Sequence, residues 1–148
     1  RENSLGVTLI KKRAENENIV YTRLRSPWPF KNRDMVNYTH YWQDRRTCAL
    51  FINVIARPEA LKRDPDFTRI TDFKAAWSVY PTSSTHSMIR YSGWVDPGGL
   101  IPEFVSTHVA THSLFNTFNN LRNILPNSKY QQYLFNNAPC TPSLYYKS

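Results

Sequence analysis

Glycine is scarce in this sequence, with four in 148 residues. With so few, and with ten prolines scattered along it, the chain is neither linker-like nor of low complexity, and it carries no internal repeat. No apolar run approaches the roughly 20 residues that a membrane helix needs. No signal-type segment opens the chain, which starts at Arg1 rather than methionine. A processed or truncated form is therefore expected. Two cysteines, Cys48 and Cys140, are too few for a disulfide framework. In an oxidising compartment they could bridge a strand to the tail. The expectation is instead two free thiols, with Cys48 a small core residue. No phosphate loop, no serine-centred nucleophile elbow and no Cys-His pattern is found. No catalytic residue, metal site or cofactor is therefore assigned, and compartment is left open.

What is present is enough for a core. Hydrophobic residues make up 41% and aromatics 14% of the chain, which excludes wholesale disorder. The length fits one domain, residues 1–148. Nineteen Lys and Arg against eleven Asp and Glu give a net charge of +8. The basic residues come as Lys11-Lys12-Arg13, Arg23 and Arg25, Lys31 and Arg33, Arg45-Arg46, and Lys62-Arg63. Such a balance attracts anionic partners, a membrane surface among them. No nucleic-acid motif accompanies it, so a nucleic-acid partner is not expected.

The chain turns on Pro27-Trp28-Pro29-Phe30, followed by Lys31-Asn32-Arg33-Asp34. Two prolines fix φ and remove two donors, so this stretch is a shaped link and not a helix or a central strand. Its aromatics read as buried, and Arg33-Asp34 as an ion pair locking the corner. Before it, residues 5–12 and 19–25 read as a hairpin. After it, residues 34–43, 47–56, 70–80 and 85–95 alternate at strand period. That gives about six strands in an antiparallel meander.

Asp96-Pro97-Gly98-Gly99 breaks the sheet. Pro102 then opens a helix running to about Leu125, stopped by Pro126-Asn127. Between Phe104 and Leu125 its one charged side chain is Arg122. Leu114, Phe118, Leu121 and Leu125 form an apolar stripe, and Phe104, His108, Thr111 (or His112) and Phe115 an adjoining half-polar one. A nearly uncharged helix is either a core helix with a neutral outside or the lid of a cavity. His108 and His112 have the spacing of a two-histidine metal pair, yet no third ligand accompanies them. Asn37-Tyr38-Thr39 fits a glycosylation acceptor but falls within a predicted strand. Tyr130, Tyr133, Leu134 and Phe135 suggest a short docked helix in the tail, residues 126–148.

Taken in order, these features resemble the bacterial form of the StAR-related lipid-transfer (START) domain. The set is the Pro27 to Asp34 corner, Arg69 with Trp77 and Pro81, Asp96-Pro97-Gly98-Gly99 leading to Pro102, and Leu121-Arg122. The similarity covers roughly residues 5–125. It implies an α+β helix-grip fold, a curved antiparallel sheet around a long C-terminal helix. It also implies an apolar cavity for a lipid or other hydrophobic molecule, for transport or sensing and not catalysis, with opening of the helix or a loop as the way in. The family's first helix and first two strands are not seen, so its N-terminal part is expected to be missing. Some sterol-binding members carry a buried arginine where this chain has Thr39. Candidate cavity residues are Thr39, Tyr41, Phe51, Trp77, Tyr91, Trp94, His108, His112 and Phe115. Pro27, Trp28, Pro29, Arg33, Asp34, Asp96, Pro97, Gly98, Gly99 and Pro102 are the structural motif. The alternatives are an aromatase/cyclase-like enzyme using Arg90, Tyr91, His108 and His112, and a basic module binding anionic lipid through one patch.

Overall fold

A computed structural model describes residues 4–127, 129 and 139–147. The tail positions Tyr130, Tyr133, Leu134 and Phe135 lie outside the described residues. The strands are β1 (Ser4–Ala14), β2 (Glu17–Leu24), β3 (Arg33–Gln43), β4 (Leu50–Ala56), β5 (Thr68–Arg69), β6 (Asp72–Pro81) and β7 (Ser87–Asp96). The helix α1 spans Glu103–Ile124. The sheet order is β1-β2-β3-β4-β6-β7, antiparallel throughout. β5 departs from the expected meander. It pairs parallel to the start of β3, Arg33 with Thr68 and Asp34 with Arg69. It occupies the place beside β3 that β4 leaves free beyond the Asn37–Ala56 pair.

Register decides which face is which, because strand side chains alternate. Thr39, Val54 and Ala75 are cross-strand partners, and Ala75 faces Gly93. This row belongs to the face that α1 covers. Val36, Tyr38, His40 and Trp42 lie on the outer face. There Trp42 stacks on Phe51 at 5.3 Å, and Phe51 meets Tyr80 edge-on at 5.8 Å.

The Pro27 to Asp34 corner departs from expectation in two ways. Trp28 is not buried: it is 92% exposed. Arg33 and Asp34 do not pair with each other, because adjacent strand residues point to opposite faces. Asp34 instead takes a bidentate pair from Arg69, at 2.8 Å for both Nε and Nη2. Arg69 further donates to the carbonyls of Pro58, Leu61 and Lys62 in the connection between β4 and β5. Arg33 goes the other way. Its Nε donates to the Pro97 carbonyl at 3.2 Å and its Nη2 to that of Gly98 at 2.8 Å. Its Nη1 donates to Ser26 Oγ and the Lys31 carbonyl. The corner is thus tied by Arg33 to the loop before α1, and through Asp34 to β5. Gly98 and Gly99 sit at φ 63° and 69°, where side chains are strained.

The cysteines are also corrected. Cys48 and Cys140 form a disulfide, with Cα atoms 5.8 Å apart. The bridge holds the tail against the β3–β4 turn. Ser143 donates its N–H to the Arg46 carbonyl at 3.0 Å, and Tyr146 to that of Pro81 at 3.0 Å. Cys48 is buried, as expected, but lies before β4 with φ 58°.

Candidate functional site

Between the inner face of the sheet and α1 lies a cavity of about 420 Å³ that is partly open to solvent. Its sheet wall is built from Met35, Asn37, Val54, Phe73, Ala75, Trp77, Tyr91 and Val95. Its roof is the α1 face carrying Val105, Val109, Ala110, Ser113, Leu114 and Thr117. These recur at i, i+4 and i+8, one side of a 3.6-residue helix. Small side chains at 110 and 113 keep the roof off the sheet. One end is formed by Leu24 to Pro27, Arg33, Pro97 and Ile101. This is where Arg33 ties two loops together.

Trp77 anchors the far side. Its ring lies 4.6 Å from Tyr91 and 5.5 Å from Phe118 of α1. Tyr91 curls back along its own strand. A Cβ at Gly93 would sit 2.2 Å from the Tyr91 hydroxyl, so glycine is what allows that placement. Burial pushes the Tyr91 hydroxyl above its ordinary value of 10.0, which keeps it neutral. Burial likewise lowers Arg33, whose guanidinium carries no carboxylate partner among the described residues. Its charge is instead met by the carbonyl oxygens named above.

The nine candidate cavity residues fall into three groups. Trp77 and Tyr91 line the cavity. Thr39 and Tyr41 share the inner face but lie beyond its lining, toward the β1–β2 turn, where the Tyr41 hydroxyl donates to the Glu15 carbonyl at 2.5 Å. The remaining five are misplaced by the sequence reading. Phe51 and Trp94 project from the outer face. Phe51 lies in the Trp42–Tyr80 cluster, and Trp94 is 61% exposed with its indole N–H on Asp72. His108, His112 and Phe115 are on the solvent side of α1, the histidine rings stacked at 6.3 Å. Alternation and helical spacing identify stripes, and they do not say which stripe faces in. Among the described residues no group of three His, Cys, Asp or Glu could hold a metal ion.

Sequence reasoning missed Met35, Asn37, Val54, Phe73 and Val95 as lining residues. The signal was available in the alternation: each shares a strand face with Thr39, Trp77 or Tyr91, or pairs across to one that does.

No protein-family model matches the sequence, and no curated protein does. Solved structures do. A STAR-related lipid transfer protein fragment from Xanthomonas axonopodis superposes with a TM-score of 0.71 at 25% identity, over 84% of this chain and 69% of that one. Human STARD10 superposes with a TM-score of 0.74 at 19% identity, over 88% of this chain and 53% of that one. The chain thus spans about half of the human structure. An open antiparallel sheet, one long helix laid across its inner face and these likenesses make the chain a START-like domain of the helix-grip fold.

Proposed function

We propose that this chain binds a lipid or other hydrophobic small molecule between the sheet and α1, for transport or sensing. The observation that carries the reading is the cavity of about 420 Å³, walled chiefly by Met35, Val54, Phe73, Trp77, Val95 and Leu114. That volume lies in the range of small-ligand sites, roughly 300–1,000 Å³. The Xanthomonas axonopodis structure is a lipid transfer protein by name, which agrees with an apolar cargo.

The route of exchange is the end of the cavity at the Pro27 corner. Trp28 is 92% exposed, Leu100 97% and Phe104 76%. Each adjoins a lining residue, respectively Pro27, Ile101 and Val105. Exposed apolar side chains beside Arg25 and Lys31 suit transient contact with an anionic membrane surface. The Asp96 to Gly99 segment is the hinge, and α1 the lid.

The enzyme reading loses its set of groups. Of Arg90, Tyr91, His108 and His112, only Tyr91 lines the cavity. Arg90 sits on the outer face, where it donates to the Tyr146 hydroxyl. The basic-module reading needs one patch. The register instead divides the basic residues. Lys11 to Arg13 and Arg45-Arg46 lie at one end of the sheet, and Arg25, Lys31 and Lys62-Arg63 at the other.

The test is native mass spectrometry with organic extraction, together with titration of a neutral apolar dye. We expect a co-purifying apolar molecule or saturable dye binding, and Ala110→Trp, which fills the cavity from its roof, to abolish it. Absence of both a bound molecule and saturable dye binding in the unsubstituted chain overturns the proposal.

A further inference from the structure

The cavity contains one polar group that the fold leaves unanswered. Asn37 lies in the middle of the sheet, between Val20 of β2 and Ala56 of β4. It is 5% exposed and lines the cavity. Its carboxamide Oδ1 is buried without a hydrogen-bond partner, alone in this among the buried side-chain atoms of the described residues. Neither cross-strand neighbour on its face, Val20 or Ala56, has a side-chain donor to offer. A buried polar group without a partner destabilises the fold that holds it. The Asn37-Tyr38-Thr39 sequon does not explain it, since a residue 5% exposed within a central strand is no acceptor for a glycan while folded.

The other polar groups of the cavity behave differently. Arg33 is already engaged by Pro97, Gly98, Ser26 and Lys31. Thr117 and Ser106 donate to carbonyls of their own helix. Tyr91 is neutral. The one other cation of the lining, Arg25, is exposed at the mouth of the cavity beyond the Leu24–Arg33 pair, whereas Asn37 pairs with Val20, four residues further in. A carboxylate or phosphate lodged beside Asn37 would therefore be a buried charge with no cation next to it. A hydroxyl meets Asn37 without charge. It both donates and accepts, so it satisfies the carboxamide whichever way the amide is turned.

We infer that Asn37 is a specificity-determining contact, and that the ligand of this cavity is an uncharged amphiphile whose hydroxyl group hydrogen-bonds the Asn37 carboxamide. This rests on the cavity reading given above and narrows its ligand class.

The experiment uses the full chain and displacement of the neutral dye N-phenyl-1-naphthylamine by dodecan-1-ol, dodecyl methyl ether and dodecanoate. The alcohol should displace the dye at about tenfold lower concentration than the ether, the effect of one net hydrogen bond. Dodecanoate should be the weakest. In Asn37→Leu the alcohol and the ether should become equal, while dye affinity is retained and the melting temperature of the empty protein rises. A preference that survives Asn37→Leu, a fall in its melting temperature, or no preference for the alcohol in the unsubstituted chain overturns this inference and leaves the cavity reading standing. Should Asn37→Leu fail to fold, the alcohol-to-ether ratio of the unsubstituted chain decides alone. Failure of the dye to bind saturably at all overturns both.

Discussion

At the scale of single residues, Asp34 is the most constrained position. Its side chain and that of Arg69 are each 1% exposed, and Tyr21 adds a further hydrogen bond at 3.1 Å. Replacing a buried pair whole is often harmless, but removing one partner leaves a buried charge uncompensated. Asp34→Asn is therefore expected to destabilise by about 3–5 kcal/mol in urea unfolding. The double substitution Asp34→Leu with Arg69→Met should recover much of that loss. Tyr91 makes a second prediction. Its hydroxyl is pushed above 10.0 by burial, so the folded state holds the proton more tightly than the unfolded one. The stabilisation is complete below the unfolded value and is lost as pH rises through the folded one. Thermal stability should thus fall more steeply above pH 10 in the unsubstituted chain than in Tyr91→Phe.

At the scale of elements, the loop before α1 is the hinge of the proposed lid. Gly98 sits at φ 63°, and a Cβ there would meet only ordinary contacts, Thr68 at 3.5 Å and the Arg69 carbonyl at 3.6 Å. The effect of Gly98→Ala is then purely backbone strain, about 1–2 kcal/mol of lost stability. Differential scanning calorimetry checks it. A change within error would show that the loop relaxes without resistance. The elements themselves were legible. Alternation marked β3, β4, β6 and β7 within a few residues, and Pro102 with Pro126 bracketed α1. β5 was not legible, since two residues carry no period. The inward faces were not legible either. Trp77 and Trp94 look alike in sequence, and only pairing register puts the first over the cavity and the second in solvent. On α1 Phe115 and the histidines misled, because the roof is made by Val105, Val109 and Ala110, which a cavity needs and a composition scan overlooks.

At the scale of the whole molecule, the disulfide joins positions 92 residues apart. In the chain-entropy account, closing a loop of that length stabilises by up to about 4–5 kcal/mol. Dithiothreitol should therefore lower the melting temperature by several degrees, and Cys140→Ser should reproduce the shift without reductant. No change in either case would mean that the tail contacts at Arg46 and Pro81 hold without the bond. The bridge is not legible in the sequence, because two cysteines carry no pattern by which a pairing can be recognised.

The same bridge makes residues 49–139 a covalent ring closed through sulfur. The lining residues from Val54 to Thr117 lie on that ring, as does the polar loop between β4 and β5, while Met35, Asn37 and the Leu24 to Pro27 end lie outside it. A single proteolytic cut in that loop should leave one species on a non-reducing gel and two on a reducing one. A cut protein should keep its binding until the sulfurs are parted. The helix proposed as the lid is therefore fastened covalently to the rest of the chain at both ends, by the Asp96 to Gly99 loop before it and through Cys140 after it.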